Sequence, residues 1–72
     1  MDMLTRRERQ IAEAVARGLR NRQIASEFGI SPETVKRHLA TIYEKLAVSG
    51  RVFLALHVLQ SRPPQGPHAA MS

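Results

Sequence analysis

The sequence predicts an all-α fold, a compact four-helix bundle with no β-sheet. Three observations carry that prediction. Apolar residues recur at one-turn spacing in segments near 5–17, 21–28, 32–46 and 49–60. Capping residues or glycines punctuate those segments: Thr5 with Glu8, Gly18, Gly29, Ser31-Pro32 and Gly50. The chain has 72 residues, room for one small domain. That domain is expected over 1–60, with 61–72 as a tail.

In the leader 1–4, Leu4 is the core contributor. The first helix opens on Thr5-Arg6-Arg7-Glu8, a capping box: the Glu8 N–H donates to the Thr5 hydroxyl, and the Thr5 N–H donates to the Glu8 carboxylate. Ile11, Ala12, Val15, Ala16 and Leu19 face inward, while Arg9, Glu13 and Arg17 face water. Arg9 and Glu13, four apart, are placed to pair weakly. Gly18 ends the helix. Arg20-Asn21-Arg22 leads into the second helix, for which Asn21 is a natural N-cap. Ile24, Ala25 and Phe28 form its apolar face, and the small Ala25 lets two helices cross closely. Gly29 suits the left-handed conformation that ends a helix, and Ile30 plugs back toward the core.

Ser31 is the N-cap of the third helix, and Pro32 stands at its first position, where the missing N–H costs nothing. Val35, Leu39, Ile42 and Leu46 point inward at i, i+4, i+7 and i+11. The opposite face collects Glu33, Lys36, Arg37, Ala40 and Glu44, and Lys45 adds to the basic outer side. His38 and Tyr43 stand at the edge of the apolar stripe, neither with a catalytic setting. Ala47-Val48-Ser49-Gly50 breaks the helix, with Ser49 as N-cap of the last one. That helix is apolar nearly all round, and a helix apolar on every side is buried on every side. The other three cover one stripe, Leu54 and Val58. Val52, Ala55, Leu56 and Leu59, at i, i+3, i+4 and i+7, remain as a second contact surface, most economically a dimer face. SRPPQGPHAAMS, with three of the four prolines, reads as a flexible tail in which His68 has no role.

Composition narrows the function. With no cysteine and three scattered histidines, neither a disulfide framework nor a metal site is expected, and no cofactor. No apolar run approaches the roughly 18 residues of a membrane span, and no signal peptide opens the chain, so the expected compartment is the cytoplasm. Eleven Lys and Arg against six Asp and Glu give a formal charge of +5 and a pI near 11.2, which suits a polyanion. Aromatics at 4% argue against base-stacking on single strands. Duplex DNA is the expected partner.

A short helix, a glycine-containing turn and a helix with a basic outer face match the helix-turn-helix used on DNA. The third helix, ~22 Å long at 1.5 Å per residue, can lie in a major groove. Its N-terminal half holds the expected base contacts: Arg37 bidentate to guanine, Lys36 to guanine or phosphate, Glu33 to a cytosine amino group and Ala40 to a thymine methyl. Expected phosphate contacts are Arg20, Asn21 and Arg22 around a helix N-terminus, together with Ser31, Thr34, His38, Thr41 and Lys45. Thr34 can instead bond its own helix end.

These residues give the chain its likeness. It resembles the LuxR-type (NarL/FixJ-like) DNA-binding domain of bacterial transcriptional regulators. The match runs through Leu4-Thr5, Arg7-Glu8, Gly18, Asn21, Ile24-Ala25, Ile30-Ser31, Thr34-Val35-Lys36, His38, Ile42, Lys45-Leu46, Val48 and Arg51, covering nearly all of 4–60 without gaps. The resemblance implies a third helix in the major groove and a fourth forming a two-fold dimer contact. Carried over, it places base-facing roles at Lys36, Arg37 and Ala40, phosphate roles near Asn21, Arg22, Thr34 and Lys45, and dimer contacts at Val52, Ala55 and Leu56. Three positions depart: Arg20 where the family has Ser or Thr, Thr41 where it has Asn, and Phe53 where it has a polar residue. Arg20 adds a phosphate contact in place of a hydroxyl one, and Phe53 suggests a covered surface. The family attaches a receiver or ligand-sensing domain before this module, so the chain reads as either a fragment or a stand-alone regulator.

The expected function is sequence-specific DNA binding in bacterial transcription regulation, as a dimer. The competing reading is a helix-turn-helix protein-docking or sigma-factor-like module, which would need an apolar patch on the outer face of 33–45. No nucleophile–base pair, metal cluster or phosphate-cradling loop supports an enzyme.

Overall fold

A computed structural model describes residues 3–61; the expected tail beyond Ser61, with His68, lies outside the described residues. Four helices follow in order: α1 (Arg6–Ala16), α2 (Asn21–Phe28), α3 (Pro32–Leu46) and α4 (Arg51–Ser61), with no strand among the described residues. α1 packs on both α3 and α4, and α2 packs on α3.

The starts of α1 and α3 follow local chemistry. Thr5 caps α1 through the reciprocal box: the Glu8 N–H donates to Thr5 Oγ1 at 3.1 Å, and the Thr5 N–H to Glu8 Oε1 at 2.9 Å. Ser31 caps α3, its Oγ accepting the Thr34 N–H at 3.1 Å. The start of α2 corrects the expectation. Asn21 is its first helical residue and Arg20 holds the N-cap position. The returning bond comes from Gln23, whose Oε1 accepts the Arg20 N–H at 2.8 Å. Asn21 is not free to cap because its side-chain oxygen is bonded elsewhere. α4 likewise begins at Arg51 rather than at a Ser49 cap, with the Gly50 carbonyl accepting the Leu54 N–H at 2.9 Å.

Three helices end in the same left-handed device. Beyond α1, Gly18 has φ 87°, and the Leu19 N–H reaches back to the Ala14 carbonyl at 3.1 Å, which satisfies a carbonyl the helix leaves open. Gly29 closes α2 at φ 67°, with Ile30 N–H on Ala25 O at 3.0 Å. Ala47 closes α3 at φ 56°, with Val48 N–H on Tyr43 O at 3.0 Å. Ala47 is the one described non-glycine residue at positive φ. A Cβ in this conformation crowds the following carbonyl, at a cost of roughly 1–2 kcal/mol. Ala47→Gly should therefore stabilise the domain by about 0.5–1 kcal/mol in chemical denaturation, since relief of strain outweighs the added freedom of the unfolded chain.

The core is one cluster of Ile11, Ala12, Ala14, Val15, Ile24, Ala25, Val35, Leu39, Ile42, Leu54 and Val58, with Leu4, Leu19, Ile30 and Leu46 packed around it. Leu54 and Val58 are the inward stripe of α4, as the periodicity predicts. Ala14, fully buried, lies outside the predicted stripe of α1 because that helix is covered by two others. Ala55, on the expected dimer face, is half-buried and packed against the core. The rest of that face is open, with Val52 68%, Phe53 56%, Leu56 46% and Leu59 49% exposed.

Candidate nucleic-acid interface

α3 is pinned by Val35, Leu39 and Ile42, so its opposite side must face outward. Glu33, Lys36, Arg37, Ala40 and Glu44 are all exposed there. At the edges, Thr34, His38 and Thr41 are half-buried. The hydroxyls of Thr34 and Thr41 are already engaged locally. Thr34 Oγ1 lies 2.9 Å from Ser31 Oγ, and Thr41 Oγ1 donates to the Arg37 carbonyl at 3.3 Å. Both hydroxyl oxygens keep acceptor or donor capacity for a second partner. At the start of α2, Arg20, Arg22 and Gln23 line a shallow depression.

The cations divide into two groups. Arg7 lies over the Phe28 ring, 5.1 Å from its centroid. Arg17 Nη2 donates to Glu27 Oε2 at 2.9 Å, tying α1 to α2. Lys45 Nζ donates to Glu8 Oε1 at 2.7 Å, tying α3 to α1. Arg51 donates through Nη1 to Asn21 Oδ1 at 2.7 Å and through Nη2 to the Leu19 carbonyl. These four hold the bundle together. By contrast, the side chains of Arg20, Arg22, Lys36 and Arg37 make no hydrogen bond or ion pair with any described residue. Arg6, at the start of α1, is likewise without a partner among the described residues, while these four stand together at the N-terminus of α2 and in the N-terminal half of α3.

Lys45, an expected phosphate contact, also has an internal role, because its ammonium pairs with a carboxylate of α1. Glu8 is only 7% exposed, and an unpaired buried charge would be costly. Lys45, followed by the Thr5 N–H, keeps the Glu8 carboxyl below its usual 4.5, against the upward push of burial. A carboxyl depressed in the folded state stabilises the fold above its unfolded pKa, and the contribution is lost as the pH falls through the folded value. Thermal melts should show stability declining as the pH drops below 4.5. Glu8→Gln, which keeps the capping bonds but not the charge, should flatten that decline.

Arg51 is the residue that the pattern of the sequence did not single out. It belonged to the family likeness, but nothing in its spacing showed that it would reach back to Asn21 and Leu19. Among the described residues no group of three His, Asp or Glu side chains is placed to hold a metal ion, and no helix is long and apolar enough to cross a membrane.

The model of GerE, bacterial regulatory proteins of the luxR family, matches residues 2–58. The chain belongs to the LuxR family. Its similarity to the transcriptional regulatory protein UhpA of Escherichia coli is 54% identity over 54 residues, 75% of this chain and 28% of that protein. The nitrate/nitrite response regulator protein NarP of E. coli is 43% identical over 63 residues, 88% of this chain and 29% of its own length. A nitrate/nitrite response regulator homologue of Haemophilus influenzae is 46% identical over 52 residues, 72% of this chain and 25% of its own. This LuxR-type chain thus spans between a quarter and a third of the length of these relatives.

Proposed function

We propose that the domain reads duplex DNA with α3 in the major groove and does so as a dimer joined through α4. The observation that carries this reading is the division of cations. Lys36 and Arg37 on α3, and Arg20 and Arg22 at the start of α2, have no internal partner among the described residues, whereas the neighbouring Arg7, Arg17, Lys45 and Arg51 do. In this reading Lys36, Arg37, Ala40 and Glu33 face base edges. Arg20, Asn21 and Arg22 meet phosphates, as do Ser31, Thr34, His38 and Thr41. Lys45 belongs to the latch with Glu8. Val52, Leu56 and Leu59 form the dimer contact. A receiver or ligand-sensing domain is the expected companion, in keeping with response-regulator relatives of greater length.

The outer face of α3 also weighs against protein docking. Its exposed residues between 33 and 44 are charged or small, without the large apolar side chains that anchor protein interfaces. Selection of bound duplexes from a random pool tests the reading. It should return a two-fold symmetric site with half-sites about one helical turn, ~10 bp, apart. A pool that is not enriched for any sequence would overturn it.

A further inference from the structure

We propose that Arg51 is a positioning residue for DNA binding, fixing Asn21 so that its carboxamide N–H groups, and not its oxygen, face the phosphate backbone. The inference rests on the DNA-binding reading above and adds a residue from α4 to it. A guanidinium donates hydrogen bonds and accepts none. The atom of Asn21 lying 2.7 Å from Arg51 Nη1 is therefore its carbonyl oxygen. With the oxygen held inward, the planar amide must turn its Nδ2 the other way, and no described residue bonds that nitrogen. Asn21 is the first residue of α2, where unsatisfied backbone N–H groups and the helix dipole already favour an anion. A free carboxamide would meet that anion with either end. The clamped one presents donors only.

The clamp is built for rigidity. The second arm of Arg51 donates to the Leu19 carbonyl, in the loop just before α2, so one planar fork holds both sides of the helix start. Asn21 and Arg51 are both half-buried, where a hydrogen bond to a charged group contributes more than at an open surface. A lysine has a single ammonium in place of the fork and cannot hold both acceptors in one fixed geometry. Arg51 is also the first residue of α4, the helix with the exposed apolar face. The residue that orients the phosphate donor therefore begins the element proposed to join two copies.

A double-mutant cycle on the affinity of the selected duplex, read by fluorescence anisotropy, tests the proposal. Every variant is first shown by circular dichroism to be folded at the assay temperature. Asn21→Ala should weaken binding about tenfold, and Arg51→Ala should do so by a similar factor. In the Asn21→Ala background, Arg51→Ala should change affinity less than about twofold, since its effect passes through the missing amide. Arg51→Lys should recover part of the loss. A residue that only supports the fold would lower the melting temperature while leaving the affinity of the folded protein unchanged, and that outcome overturns the proposal. So do losses that multiply in the double variant, because Arg51 then acts independently of Asn21. If Arg51→Ala does not fold, the same cycle with Arg51→Lys decides by the same criterion. Wild-type protein that binds no duplex would overturn the DNA reading itself. Wild-type binding with Asn21→Ala at full affinity would overturn this inference alone.

Discussion

Leu54→Ala should lower the unfolding free energy by about 2–5 kcal/mol, whereas Leu56→Asp, two residues along the same helix, should change it by no more than about 0.5 kcal/mol. Leu54 is fully buried and Leu56 is 46% exposed, so one substitution opens a cavity in the core and the other alters a half-exposed side chain at the surface. The contrast is large for a domain of this size. At roughly 0.05–0.15 kcal/mol per residue its whole stability is ~3–9 kcal/mol, so Leu54→Ala is expected to leave a substantial unfolded population in urea titration. The reverse ranking applies to assembly. Leu56→Asp places a charge within the apolar face of Val52, Phe53 and Leu59 and should abolish two-to-one binding on DNA while the fold persists. A variant that still forms a two-to-one complex would place the contact between copies elsewhere.

Arg37→Ala should cost about 1–3 kcal/mol on the selected site, roughly a 5- to 150-fold loss, and should relax preference at one base position. The same substitution should affect unrelated duplexes much less. Equal losses on both would make Arg37 a phosphate contact. Arg17 is the internal control: its pairing with Glu27 is exposed at 51% and 43% of the two side chains. Such a pair contributes at most about 1 kcal/mol to stability, and Arg17→Ala should leave DNA affinity nearly unchanged. The two arginines differ not in charge but in whether the fold already uses them.

What the sequence made legible was local. The capping box of Thr5 and Glu8, the Ser31-Pro32 start of α3, and the left-handed Gly18 and Gly29 all depend on residues within one turn, so their spacing shows them. The inward stripe of Leu54 and Val58 followed from periodicity. Contacts between distant segments were not legible. Lys45 meets Glu8 and Arg51 meets Asn21 across 37 and 30 positions, and no periodicity carries that information. Both pairs add roles the spacing does not show: Lys45 ties α3 to α1, and Asn21 is a clamped amide in place of an N-cap. Ala14 lies outside the expected stripe for a related reason, because a small residue packs wherever two helices close upon it. Ala47 takes a left-handed conformation that glycine signals and alanine does not.

In the proposed reading the outward face of α3 and the start of α2 form the DNA surface. An amide NMR titration of the chain with the selected duplex tests it most directly. The largest shift changes should fall at Glu33, Lys36, Arg37 and Ala40 and across Arg20, Asn21 and Arg22, together with concentration-dependent changes at Val52, Leu56 and Leu59. Changes concentrated on the outer face of α1, with α3 unmoved, would contradict it.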